Sequence, residues 1–234
     1  MEKKNIVIGI EGLVGSGKTS ICREMLKRDK NAILLNGGNL YRAIVYTLMQ
    51  KEHNLFKLKK TIKNADIKQY MDELSVEIRI EDRESKIYIN GKLADEEELQ
   101  SKASSLAVSV IGGIADNTKL FEFSKNLINE LKKEHNVIVS GRALMEIYPE
   151  LDYHLFITAS LEERLKRKCI QYKEKSSKAS VRRNIKIRDN LQNMAGFYKI
   201  YPNTIQVDVT NCKSVKESTD KVLENMKLKI KEEI

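Results

Sequence analysis

Two patterns of apolar residues alternate along the chain. Short apolar runs rich in β-branched residues occur in "KNIVIGI", "NAILLN", "HNVIVSGR" and "DYHLFITAS", and "TIQVDVT", where apolar and polar positions alternate, supplies a fifth core strand. The length of the first four and their lack of alternation suit strands buried on both faces. Between them the apolar positions fall at helical spacing. Over 19–27 they are Ile21, Cys22, Met25 and Leu26; over 161–173, Leu161, Leu165, Lys168 and Cys169 share one face. "NLYRAIVYTLMQ" reads as a second helix and "SVKESTDKVLENMKLKIKEE" as a closing one, while "SKASVRRNIKIRDNLQNMAGFYKIYP" carries a helix and a turn. The opening order of strand, glycine-rich loop, helix and strand predicts a parallel α/β sheet.

Residues 55–95 differ in character. "SVEIRIEDRESKIYING" alternates apolar and polar positions on either side of "EDRES", which predicts an antiparallel hairpin over 74–90. Two helical stretches follow, "SKASSLAVSVIGGIAD" and "KLFEFSKNLINELKK", with Gly112–Gly113 as a break between them. This block reads as an insertion between the second and third core strands. There is no internal repeat, and two prolines in 234 residues signal no hinge.

Composition narrows the classes. No apolar run approaches the roughly eighteen residues of a membrane span. The basic start is broken by Gly9, Glu11 and Gly12 before a secretory signal could form. Cys22, Cys169 and Cys212 are odd in number and lack CxxC or histidine partners, which predicts reduced thiols in the cytoplasm. The net charge of +9 points to polyanionic partners. The excess is local: from Arg164 to Arg188 eleven basic residues face only Glu174, with Tyr172 the one aromatic among them. That pattern argues against a base-stacking surface for nucleic acid; a solvated helix face and phosphate handling stay open.

The chemistry is carried by Gly12-Leu13-Val14-Gly15-Ser16-Gly17-Lys18-Thr19, an ungapped GxxxxGK[ST] loop between a predicted strand and helix. Glycines allow successive backbone N–H groups to turn inward around phosphate, and the helix N-terminus adds partial positive charge. Lys18 is expected to meet the outer phosphates, Thr19 to ligate Mg²⁺, and Ser20 to stand near the α-phosphate. The chain therefore binds ATP or GTP. The NKxD sequence of switch GTPases is absent, and "VIVSGR" stands where their DxxG would follow the third strand. The acidic second strand of large motor ATPases is missing too. A small-molecule kinase remains. No catalytic base is needed for such transfer, and His53, His135 and His154 look isolated.

Two further segments carry a resemblance. "LNGGNLYRAI" resembles the TGxxYRA segment of cytidylate kinases, with Tyr41 and Arg42 in matching places, and "VIVSGR" resembles their DGRDIG. "IYINGKLADEEELQSKASSLAVS" is similar to the family's insert, and "FITASLEERLKRK" to its FLTASPEERARRR. The resemblance covers nearly the whole chain. It implies a P-loop NTPase-type three-layer α/β fold with a five-stranded parallel sheet, an inserted nucleoside-monophosphate-binding domain containing the hairpin, and a helical lid. The boundaries expected are a core of 1–54 and 134–234, an insert of about 55–133 and a lid of about 172–198, all in one unit. It also implies a monomer whose substrates are MgATP and a nucleoside monophosphate, CMP or dCMP.

Carried over residue by residue, Arg42 and Arg142 hold the acceptor phosphate, with Gly37, Tyr41 and Ser101 also on the acceptor side. Arg164 and Arg167 contact the donor nucleotide, and Lys18, Arg142 and Arg188 act on the transferring group. Arg182 and Arg183 are spare cations. Guanidinium groups suit the task because they grip phosphate oxygens two at a time. The departures concern the acceptor. The family's Asp before GR is Ser140, its DIG is Ala143-Leu144-Met145, an arginine is Phe121, and two lid residues fall on Gln192 and Ala195. A branch with its own base contacts, a different acceptor, or a decayed enzyme would each leave this trace. Retention of the phosphate-holding arginines favours the first. Tyr198 and Lys199 are candidates to replace lost lid contacts. The alternatives to a cytidylate kinase are a P-loop kinase for another small acceptor and an ATP-regulated basic protein that binds RNA.

Overall fold

The five apolar runs pair side by side in the computed structural model, which describes residues 5–51, 54, 57, 58, 60, 66–99, 108, 109, 118–172 and 176–232. In chain order the elements begin with β1 (Val7–Gly12), α1 (Lys18–Arg28), β2 (Ala32–Asn36) and α2 (Gly37–Lys51). Then come α3 (Ile67–Glu73), β3 (Val76–Glu81), β4 (Glu84–Ile89), β5 (Lys92–Leu93), α4 (Glu96–Leu99) and α5 (Thr118–Lys132). The chain continues through β6 (Asn136–Ser140), α6 (Leu144–Ile147), β7 (Tyr153–Thr158), α7 (Leu161–Gln171), α8 (Lys178–Met194), β8 (Thr204–Asp208) and α9 (Val215–Glu232). The first helical stretch after the hairpin, with its glycine pair, falls almost wholly outside the described residues.

Strands β2-β6-β1-β7-β8 lie in that order and all run parallel. Alternation along β1 divides the core in two. Ile8 and Ile10 face α1 and α9, packing with Ile21, Met25, Val222 and Met226. Val7 faces the other side with Ile128 of α5 and Leu144 of α6. β1, β2, β6 and β7 are thus buried on both faces, whereas the edge strand β8 alternates, with Gln206 and Asp208 exposed.

The five parallel strands stand as expected, and the sheet continues beyond them. The hairpin β3–β4 joins it at β2, through the pair Leu34↔Glu84, and β5 adds to β4, giving eight strands. The docking is local and polar: Leu34 N donates to Arg83 O at 2.8 Å and Asn36 N to Ser85 Oγ at 2.8 Å. Asp82 and Arg83 form the tight turn with φ of 50° and 64°, the mirror-image geometry that hairpins favour. Arg83 is held there because its Nη1 donates to Leu26 O and Asp29 O at 3.0 and 2.7 Å. A separate apolar cluster gathers Leu58, Met71, Leu74, Val76, Ile87 and Leu99 around α2.

Candidate active site

The glycine-rich loop leaves β1 at Gly12 and enters α1 at Lys18. Gly12 has φ 145°, and a Cβ there would lie 2.1 Å from Ile157 O, so no other residue fits beside β7. Leu13 N donates to Ile157 O at 3.1 Å, which pins the loop to that strand. Gly17 caps α1 in the left-handed region with no side-chain cap, leaving the helix's first N–H groups directed into a cavity of about 820 Å³ that the loop lines. Lys18 Nζ donates to Gly12 O at 3.0 Å and Leu13 O at 3.2 Å. Thr19 and Ser20 also line the cavity, and Ser16 Oγ is buried with no partner among the described residues.

Further cations line the same cavity, among them Arg42 of α2, Arg142 just past β6, Lys168 of α7 and Arg188 of α8. Arg42 Nε, Arg188 Nε and Arg188 Nη1 are buried without a hydrogen-bond partner among the described residues. Their charges press on one another. Burial, then Arg188 and Arg142, lowers the pKa of Arg42 to about 9. Burial, then Arg188 and Arg42, lowers Lys168 to about 7. Lys18 falls well below the usual lysine value, through burial and the nearby Arg142. The neighbouring carboxylates are committed elsewhere: Glu96 to Arg23, Glu163 to Arg167 and Asp189 to Arg164. Buried like charges without counter-ions are costly, and a polyphosphate entering this cavity relieves that cost.

The sequence profile of the family described as "Cytidylate kinase" matches residues 8–231. The chain belongs to the cytidylate kinase family. It is similar to the cytidylate kinase of Caldicellulosiruptor bescii, with 26% identity over 240 residues covering 99% of this chain and 100% of that one. The cytidylate kinase of Aquifex aeolicus is 30% identical over 222 residues, covering 92% and 93%. Among solved structures, a thymidylate kinase from Candida albicans overlays at 15% identity with a TM-score of 0.42, covering 97% and 93%.

For a cytidylate kinase family member, the structure brings together most of the residues singled out in the sequence. Gly15, Ser16, Gly17, Lys18, Thr19, Ser20, Gly37, Tyr41, Arg42, Arg142, Arg167 and Arg188 all line the one cavity. Arg167 does so while its Nη1 donates to Ser16 O at 2.8 Å and its Nη2 to Val209 O at 3.0 Å. Arg164 does not. Its Nε donates to Ala159 O at 3.0 Å, and its Nη1 to Val14 O at 3.1 Å and Asp189 Oδ2 at 2.5 Å. It clamps the loop from behind through these three contacts. Arg182 pairs with Glu162 and Arg183 is exposed; neither lines the cavity. Ser101 lies outside the described residues.

Three groups escaped the sequence reading. Lys168 stands one turn beyond Arg164, and Gln192 one turn beyond Arg188, and both line the cavity; the four-residue spacing was the available signal. His154 is not isolated. Its Nε2 lies 2.7 Å from Glu11 Oε2, because Gly9↔His154 and Glu11↔Phe156 pair across β1 and β7. Glu11 Oε1 also accepts from Leu144 N at 3.3 Å. Glu11 therefore braces the strand ahead of the loop and does not line the cavity.

Proposed function

We propose that the chain transfers the γ-phosphoryl group of MgATP to CMP or dCMP, giving the diphosphate and ADP. The observation that carries this is the convergence of Lys18, Arg42, Arg142, Lys168 and Arg188 on one cavity whose nearby carboxylates are already engaged. Donor phosphates rest in the loop, against the N–H groups that open α1. The Thr19 hydroxyl in the first turn of α1 is the hard oxygen ligand that would hold Mg²⁺, and the ion would supply positive charge against the donor phosphates. Arg42 and Arg142 hold the acceptor phosphate, and Lys18 and Arg188 stabilise the transferring group. No side chain needs to abstract a proton, since positioning and electrostatics carry this transfer.

The division into a core of 1–54 and 134–234, an acceptor-side insert of about 55–133 and a lid of about 172–198 belongs to the same reading. Leu58, Met71, Leu74, Val76, Ile87 and Leu99 of the insert form their own apolar cluster, built on α2 of the core. A cytoplasmic monomer with no nucleic-acid partner belongs to the same reading: Arg42, Arg142, Lys168 and Arg188 line the cavity, and half-buried Arg182 is paired with Glu162. No helix among the described residues is long and apolar enough to cross a membrane. The test is ADP release from MgATP with CMP, dCMP, UMP, AMP, GMP or no acceptor. Turnover that depends on CMP or dCMP is expected. Equal turnover with every acceptor, or none, would overturn the assignment, and RNA binding that falls steeply with salt would favour the RNA-binding alternative.

A further inference from the structure

Arg142 is held in an unusual way. Its Nε and Nη2 both donate to a single oxygen, Gln192 Oε1, at 3.0 and 2.9 Å, and its Nη1 donates to Gly141 O at 2.9 Å. The Tyr198 ring centre lies 5.9 Å from the guanidinium carbon. The Tyr198 hydroxyl lies 3.0 Å from Gln192 Oε1 and 2.7 Å from Asp189 Oδ1. Asp189 Oδ1 in turn accepts the N–H of Val14 in the phosphate loop at 3.2 Å. A continuous polar path thus runs from Val14 through Asp189, Tyr198 and Gln192 to Arg142.

Two features make the path more than packing. Gln192 is buried at 7% exposure, yet it is neutral. A carboxylate there would grip the guanidinium more strongly and also cancel its charge. A neutral amide fixes the orientation and leaves the full positive charge for an incoming anion. Tyr198 is anchored on its other side by an edge-on contact with Phe156 of β7, ring centres 5.8 Å apart. Burial, with Asp189 alongside, keeps its phenol above the ordinary tyrosine value and therefore protonated. Its single proton is shared between the Asp189 carboxylate and Gln192 Oε1, so its ring and hydroxyl together wall in the Gln192 amide.

We infer that Gln192 and Tyr198 are positioning residues that hold Arg142 charged and oriented toward the acceptor phosphate, and tie that orientation to the phosphate loop through Asp189. The inference rests on the reading of Arg142 as an acceptor-phosphate ligand. Both residues act through Arg142 and need not touch the substrate.

The experiment compares Gln192→Glu, Gln192→Leu and Tyr198→Phe with the wild-type chain by steady-state kinetics, thermal unfolding and the ¹⁵N–¹H resonance of the Arg142 side-chain Nε–H, assigned by its loss in Arg142→Lys. Gln192→Glu is the decisive variant, because it keeps or improves the hydrogen bonds. A purely structural role predicts an equal or higher melting temperature and unchanged kinetics. Positioning with preserved charge predicts that the resonance persists while the acceptor KM rises about tenfold or more and the ATP KM hardly moves. Tyr198→Phe is expected to raise the acceptor KM about fivefold, the value of one hydrogen bond, and to weaken the resonance, which Gln192→Leu abolishes. An unchanged acceptor KM in Gln192→Glu, or an unchanged resonance in Gln192→Leu, overturns the inference. If the wild-type chain fails to phosphorylate CMP or dCMP while the resonance responds as stated, the acceptor assignment fails and the positioning of Arg142 stands.

Discussion

Arg164→Ala separates two roles that the sequence could not. The side chain is 8% exposed and serves three acceptors: Ala159 O, Val14 O and Asp189 Oδ2. Breaking a buried ion pair costs about 3–5 kcal/mol. Asp189 is 21% exposed and keeps two other donors, Val14 N and the Tyr198 hydroxyl, so the lower end, about 3 kcal/mol, applies. For a domain of this size that lowers the melting temperature by about 6–12 °C. Calorimetry without nucleotide reads the shift, and titration calorimetry with MgADP reads the site. A loop loosened at Val14 loses up to about threefold in MgADP affinity, the order of a weak hydrogen bond. Arg164→Lys keeps the charge, but one ammonium cannot span the three acceptors, so it recovers less than half of the lost stability. A melting temperature within about 2 °C of wild type, at most about 1 kcal/mol, together with a large loss of MgADP affinity, would refute the clamp and return Arg164 to the nucleotide.

Three further outcomes are expected. Lys18→Ala lowers turnover by about a thousandfold or more, as loss of a cation on the transferring group does, with an unchanged circular dichroism spectrum; near-normal turnover would remove the loop from the chemistry. Arg42→Ala raises the acceptor KM and leaves the ATP KM nearly fixed, and Arg42→Lys restores little because a point charge replaces a two-pronged grip; recovery by lysine would contradict that geometry. Lys168, at about 7 in the folded chain, loses its proton there while the unfolded chain keeps it to about 10.4. The unfolded state then binds more protons between those values, so stability without ligand rises with pH in that window. Lys168→Met should flatten the rise, stabilise the unliganded protein and weaken MgADP binding; a melting curve with the same pH slope in both proteins would count against it.

What could be read in advance was whatever the chemistry makes local. The loop was legible because each of its glycines, its lysine and its threonine has a role fixed by neighbours in sequence. Four of the five core strands were legible because burial on both faces demands unbroken apolar runs, and the edge strand β8 because its apolar positions alternate with polar ones. The hairpin's alternation was legible as well, but its docking was not: one register pair, Leu34↔Glu84, joins it to β2, and nothing near either residue announces a partner fifty positions away. Side-chain direction was equally hidden. Arg164 and Arg167 belong to one helical turn, yet one turns behind the loop and the other into the cavity. His154 looked unremarkable because its partner Glu11 lies 143 residues earlier and meets it only through the pairing of β1 with β7.

The placement of acids explains why so much positive charge can be gathered without unfolding the site. Three carboxylates near the cavity are tied to cations that do scaffolding: Asp189 to Arg164 behind the loop, Glu163 to Arg167 at its edge, and Glu96 to Arg23, which also pairs with Glu84 on the hairpin. Those pairs stitch α1, α4, α7, α8 and β4 together and leave Arg42, Lys168 and Arg188 facing one another with no carboxylate between them. Had any of the acids turned inward, the unliganded chain would gain stability and the anion would lose its reason to bind. A neutral Gln192 beside Arg142 follows the same rule. Residues that must fix a cation near the acceptor are neutral or already paired, so the cavity's charge is offset only when phosphate arrives.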